Sequence, residues 1–325
     1  MKTDWKSIIE RLEKRVFINS YNKDRAFLNL SKIFAKKALY KASLESSGRI
    51  TSESIKIKAF KDILSILIEN EKWDIAFNVI NRIEDDDERM KSLGELVNAL
   101  LNAEVKVKRY WLKAVKLVMG THYSVYWDLY CLRMIAKAMI RLSIYDEFIL
   151  RKLKYLANTK SDPYSKSRFI SPVAMLYYLA GFEREGMRLF NLAHTEAKKC
   201  EYAYDRVRSL ASVAFSLNLA GLKENSIKIF KEAEKETKSI EGVYFRFVHL
   251  ILIGEFMYKC GLRDIGIKWL QRYLRCARKI ENIEERARIY IDFAKTFESF
   301  GIIDQAEKLY NSAKELIDND KFNLY

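Results

Sequence analysis

The residues able to do chemistry in this 325-residue chain are few and scattered. The three histidines, His122, His194 and His249, stand far apart, and His194 and His249 fall in different helical segments, so they form no metal set. The four cysteines, Cys131, Cys200, Cys260 and Cys276, have no paired spacing, which excludes a zinc knuckle or a disulfide framework and leads us to expect reduced thiols in a cytoplasmic protein. Cys260 and Cys276 read as small core hydrophobes. Asp85-Asp86-Asp87-Glu88 is the one carboxylate run. It offers metal-ligand chemistry on paper, but acids at that place also suit the positive N-terminal end of a helix, and we read it that way. No phosphate loop, dinucleotide fingerprint, HExxH or GxSxG pattern occurs. The expectation is a chain that is not an enzyme and has no cofactor and no metal.

Regular spacing belongs instead to cations and aromatics. Arg168, Arg208, Val248 and Arg288 recur at 40 residues; seven residues on come Met175, Phe215, Glu255 and Lys295, and three further come Tyr178, Asn218, Tyr258 and Glu298. A second ladder is Tyr126, Tyr164, Tyr204 and Tyr244, the last three each two residues before a cation: Lys166, Arg206 and Arg246, with Arg286 continuing the cation column. A cation near a helix start opposes the helix dipole, so this column needs another use. The expectation is that each tyrosine packs in the joint between repeats while the cation pairs with acids of the preceding helix.

The elements that carry these columns follow from the same period. Gly181, Gly221, Gly261 and Gly301 lie 40 residues apart, each followed by a large apolar residue (Phe182, Leu222, Leu262, Ile302) and, five residues on, by a small one (Gly186, Ser226, Gly266, Ala306). In the last repeat Ile289, Tyr290, Phe293, Ala294 and Phe297 form one apolar helix face, Gly301 ends that helix in the left-handed conformation, and Ala306, Leu309, Tyr310, Ala313 and Leu316 form a second face. Such a helix–turn–helix cannot bury its faces alone, and stacking its neighbours supplies the core. Few glycines (11) and prolines (2) agree with helices joined by short turns.

The segment ERARIYIDFAKTFESFGIIDQAEKLYNSAKELI resembles the tetratricopeptide repeat family, in its aromatic Tyr290, the pair Phe293-Ala294, Phe297, the turn Gly301 and the series Ala306, Tyr310, Ala313. The resemblance spans residues 164–317. It departs from the family in a period of 40, about six longer than usual, which predicts an extended second helix, and in lacking the proline at the unit's end. The resemblance implies an all-α, right-handed α-solenoid of about eight stacked antiparallel helix pairs, whose first helices line a concave groove. On that geometry the groove residues are Arg168, Arg208, Arg288, Lys295, Tyr178, Asn218, Tyr258 and Phe215. Arginines there pair carboxylates bidentately, which suits an acidic peptide or a protein partner. Aromatics beside cations also suit single-stranded RNA, and DNA shares the phosphate chemistry. The opposing reading is that these side chains pair with acids of neighbouring repeats.

Upstream the pattern is looser. Phe60, Ile63, Leu64 and Leu67 with Trp73-Asp74-Ile75-Ala76 read as one pair, Arg89 to about Thr121 as another, and Tyr126 to Ser161 as a third. Asp24-Arg25-Ala26-Phe27 resembles a repeat start, whereas Lys41 to Ser54 reads as a loop or frayed helix. The expected organisation is N-terminal helices over 1–54, degenerate repeats over 55–161, regular repeats over 162–320 and an apolar tail, 321–325, that caps the last pair or docks into another copy. Pro172, inside an apolar helical face, predicts either a bend or a late helix start. No apolar run is long enough for a membrane span, and the start lacks a signal-peptide core. The net charge of +15 is spread along the chain and suits nucleic acid, acidic proteins or a merely basic surface.

Overall fold

A computed structural model of the chain describes residues 4–119 and 125–322, and among them there is helix and no strand. Helix α1 (Trp5–Lys14) precedes eight helix pairs: α2 (Ser20–Lys36) with α3 (Tyr40–Gly48), α4 (Glu53–Glu69) with α5 (Trp73–Ile80), α6 (Asp86–Asn102) with α7 (Lys108–Met119), and α8 (Val125–Leu142) with α9 (Glu147–Asn158). Then come α10 (Pro163–Leu179) with α11 (Glu183–Lys198), α12 (Ala203–Leu219) with α13 (Lys223–Glu236), α14 (Val243–Lys259) with α15 (Arg263–Ala277), and α16 (Ile283–Ser299) with α17 (Ile303–Phe322). By class the described chain is all-α, a series of repeated helix pairs. It forms two compact units, residues 1–153 and 154–325, with the break inside α9. Of the terminal tail expected to cap the last pair, residues 323–325 and the side chains of Lys321 and Phe322 lie outside the described residues, as do His122 and the Tyr126 side chain.

Within each unit the first helices stack on one another, α2 on α4, α4 on α6 and α6 on α8 in the first, and α10 on α12, α12 on α14 and α14 on α16 in the second. The turn between paired helices explains the register. In the second unit it is built on Gly181, Gly221, Gly261 and Gly301, all at positive φ. In the first unit the same turn, with the same left-handed residue, is made by Ala38, Glu71, Glu104 and Ser143. The repeat therefore runs through the whole chain, with spacings of 33, 33, 39 and 38 residues before the regular 40 begins. The length difference sits in the second helices, as the longer period predicts: α3 and α5 have 9 and 8 residues, whereas α11 and α15 have 16 and 15.

Close packing of the paired helices depends on the small residues after the turn. A Cβ on Gly186 would meet the Tyr178 backbone nitrogen at 2.8 Å, and one on Gly266 would meet the Gly254 carbonyl at 2.9 Å. Ser226 fills the slot differently, its hydroxyl donating to the Ala214 carbonyl at 2.7 Å. In the last pair Phe293, Ala294 and Phe297 are fully buried together with Ala306 and Ala313.

Two expectations are corrected, and one of the two alternatives left open for Pro172 is ruled out. Residues 40–48 form a packed helix, neither a loop nor a frayed helix: Ala42, Ser43, Ser46 and Ser47 are buried, and the serine hydroxyls donate to backbone carbonyls, Ser43 to Ser31 at 2.7 Å and Ser46 to Ala42 at 2.9 Å. Small hydroxyl residues let this short helix sit close to α2 while each polar group keeps a partner. Cys276 is exposed, unlike buried Cys131, Cys200 and Cys260, so it is not a core residue. Pro172 does not delay its helix, because α10 begins at Pro163 behind the Asp162 cap and runs through Pro172 to Leu179.

Candidate binding face

The cation column two residues after the tyrosines turns out to hold the linkers between repeats. Arg206 donates through Nη1 to the Cys200 carbonyl at 2.9 Å, Arg246 through Nη2 to Ile240 at 3.3 Å, and Arg286 through Nη1 to Ile280 at 3.1 Å. Arg89, fifteen residues before the left-handed Glu104 just as Arg206 precedes Gly221, does the same to Ile83 at 3.2 Å. Each clamps the carbonyl six residues upstream, at the end of the previous second helix, where unpaired carbonyls collect. The acids these cations meet lie on the second helix of their own pair: Lys166 with Glu196 at 3.8 Å and Arg206 with Glu236 at 2.7 Å. The expected pairing with acids of the preceding helix is thus replaced by carbonyls there and acids on the following helix.

The residues expected on the groove divide in the same way. Three are spent in joints of the second unit. Asn218 donates to the Cys260 carbonyl at 2.9 Å, Tyr258 stacks on Phe300 at 3.7 Å, and Phe215 meets Phe256 edge-on at 5.6 Å. Two more cations sit beside acids of their own helix, Arg288 with Glu284 at 2.6 Å and Lys295 with Asp292 at 3.9 Å. Arg168 lies over the Tyr164 ring at 4.8 Å and donates to its hydroxyl. Tyr178 is half-buried on the same helix, close above Gly186. Arg208 is exposed and has no ion pair within 4 Å among the described residues.

What the structure brings together is the N-terminal part of α10, α12 and α14. Tyr202 and Tyr204 stack at 5.3 Å, and Tyr204 stands 6.4 Å from the imidazole of His249 on the next first helix. Tyr244 and Phe245 meet edge-on at 5.6 Å, and the Tyr244 hydroxyl donates to Asp292 at 3.0 Å. Two of the ladder tyrosines therefore do reach across a joint, yet the aromatic group stays open to solvent: Tyr202 is 54%, Tyr204 42% and Phe245 60% exposed. Stacked aromatics left in water are unusual on a surface that has a core to bury them in.

Charge converges on the same place. Burial pushes the Asp205 carboxyl up despite the nearby guanidiniums of Arg208 and Arg168, with Asp162 and His249 also in its field. Burial likewise holds the His249 imidazole down, so the ring is neutral. Asp205, His249, Tyr202 and Phe245 were not among the residues expected here. The signal that could have found them is internal. Where His249 stands, the other three regular repeats have Phe169, Ser209 and Ile289, so a titratable ring at that buried slot breaks its own column. The carboxylate run has no such role: Asp85 caps α6 by accepting from the Glu88 amide at 2.8 Å, and Glu88 pairs with Lys61 and Lys91. His194 pairs with Glu232 at 2.7 Å on the opposite, second-helix side. Among the described residues no cluster of three metal-ligating side chains occurs, and no helix is long and apolar enough to cross a membrane.

No family model and no curated protein matches the chain. Among solved structures it is similar to Bacillus thuringiensis PlcR in complex with the peptide PapR7 and DNA, at 18% identity over 89% of this chain and 97% of that one, with a TM-score of 0.33. It is also similar to the apo form of RapI (14% identity, 89% and 100% covered, TM-score 0.35) and to Ton1535 from Thermococcus onnurineus (12%, 80% and 98%, TM-score 0.33).

Proposed function

We propose that this protein is a non-enzymatic, cytoplasmic scaffold that binds a peptide segment of a partner protein on the first-helix face of its second unit. The observation that carries this reading is the set of solvent-open aromatics Tyr202, Tyr204 and Phe245, with Arg208 close by, on helices where Asn218 and Tyr258 are already spent in joints. Aromatic rings of this kind supply large contact area at little conformational cost, and an unpaired arginine supplies bidentate recognition of a carboxylate.

Nucleic acid fits the same face less well. A phosphate track needs a run of uncompensated cations. Here Asp162, Asp205, Glu284 and Asp292 stand among the arginines, and two of the groove cations already have an acid at hand. The test is a pair of measurements on the full chain. Panning a phage-displayed library of random dodecapeptides should enrich peptides containing Asp or Glu, and Arg208→Ala and Tyr204→Ala should each weaken the synthesised winners at least tenfold. Polarisation titrations with labelled single-stranded RNA and duplex DNA at about 50 and 200 mM salt should show no sub-micromolar binding. Tight, steeply salt-dependent RNA or DNA binding with no enriched peptide would reverse the choice.

A further inference from the structure

A buried hydrogen-bond acceptor with nothing to accept from lies beside the exposed ring of Tyr204 on that face. His249 is 5% exposed, and its Nδ1 lies 2.8 Å from the Phe245 carbonyl, which can only accept. The ring proton therefore sits on Nδ1, and Nε2 is a bare lone pair. Nε2 is buried and has no hydrogen-bond partner. A buried acceptor left without a donor costs the fold stability unless something satisfies it. Phenylalanine, serine and isoleucine in the matching slots show that the repeat does not require a histidine there. The carboxylate of Asp205, one helix earlier, is the second unspent acceptor: it makes no hydrogen bond and no ion pair within 4 Å among the described residues. In its column the other repeats carry Ser165, Phe245 and Glu285.

Two acceptors, one neutral and one anionic, call for a ligand group with several donor hydrogens and a positive charge. The aromatic rings beside them add cation–π attraction for such a group. Arg208, on the flank of the pair, calls for a carboxylate further along the ligand. Tyr204, itself exposed, lies 6.4 Å from the imidazole and tilted 45° to it, which places the solvent-open aromatics next to the buried ring.

We infer that His249 Nε2 and the Asp205 carboxylate receive the free α-ammonium group of a peptide's amino terminus, and that Arg208 takes an acidic side chain close behind it. This rests on the peptide-scaffold reading and sharpens it, since it fixes which end of the peptide enters and where. The probe is the set of peptides enriched by panning with free amino termini, synthesised with a C-terminal fluorophore in free and N-acetylated forms. On the wild-type chain, acetylation should weaken binding at least tenfold. Asp205→Asn, which keeps the side-chain shape, and His249→Phe, which restores the residue type found at Phe169, should weaken the free peptide by a similar factor. On Asp205→Asn, acetylation should then cost little more. His249→Phe should also melt at or above the wild-type temperature, because it removes an unpaired buried acceptor, and Asp205→Asn covers the case in which it fails to fold. If acetylation changes affinity less than twofold, or Asp205→Asn binds as the wild type does, the amino-terminus assignment is overturned while the scaffold reading stands. If panning yields no peptide for the wild-type chain, both fall together.

Discussion

A repeat protein provides its own comparison at the level of single residues. The clamp arginines show this. Arg206 has both a linker carbonyl and a carboxylate, with its Nε donating to Glu236 at 2.7 Å. In the next two repeats the guanidiniums keep the carbonyl but their Nε groups, on Arg246 and Arg286, are buried without a partner. The reason is legible once the register is known: the slot of Glu196 and Glu236 is taken by Cys276 and Leu316. A buried donor left unpaired is costly, more so when charged. Since Cys276 is exposed, Cys276→Glu should bring a carboxylate to Arg246 and raise stability by about 1 kcal/mol. Glu236→Cys should lose a comparable amount. Urea midpoints at unchanged slope would measure both, and no shift for either would mean the acid is a surface ornament of the clamp.

At the scale of helices and turns, two substitutions test how the pairs are built. Glu104 occupies the left-handed turn position at φ 51°, which disfavours a residue with a Cβ by about 1–2 kcal/mol. Glu104→Gly should therefore stabilise the first unit by up to about 1 kcal/mol, after the greater freedom of glycine in the unfolded chain is counted. Gly186→Ala has the opposite sign, because its methyl group meets backbone that cannot move aside, and should destabilise by about 1–3 kcal/mol. Thermal melts of the two variants, moving in opposite directions, would establish the turn and the crossing as separate determinants. The same positions explain how far the sequence could be read. Four glycines at a strict spacing made the second unit visible, with its faces, its turns and its longer second helix. In the first unit the turn is made by Ala38, Glu71, Glu104 and Ser143, which carry no compositional mark, so the repeat there showed only through its apolar faces, and the serine-rich α3 did not show at all. The site was less legible than the fold. Which side chains of the groove columns are spent in joints depends on distances between repeats, and Asn218, Tyr258 and Phe215 look as available in sequence as Arg208 does.

For the whole molecule, the two units carry different acid-sensitive groups, and this predicts where acid acts first. In the first unit Asp24 is held low by amide hydrogen bonds from Thr51 and Ser52 that outweigh its burial, Asp74 and Glu88 by Lys113 and Lys91, and Asp146 by Lys108 against its burial. In the second unit Glu185 is held at about 2, chiefly by Arg188 with Lys154 in support. A carboxyl whose folded value is depressed stabilises the fold above its ordinary range, and that stability drains as pH falls towards the folded value. Asp205 works the other way, because burial raises it and its protonation in the fold precedes that in the unfolded chain, so acid favours the folded second unit there. His249, depressed by burial, stays neutral in the fold while the unfolded ring takes up a proton below about pH 6.5. Two windows follow. Between about pH 6.5 and 5 only the second unit should soften, by the His249 contribution, and His249→Phe should abolish that slope. Below about pH 4.5 the first unit should lose protection faster, having four depressed carboxylates and no raised one among its described residues, while the +15 charge grows as acids are neutralised and adds repulsion throughout. Amide hydrogen exchange followed by mass spectrometry at pH 7, 5.5 and 4, corrected for the intrinsic pH dependence of exchange, resolves the two units separately. Uniform loss of protection across both at every step would show that ionisation of these particular groups does not govern the acid response.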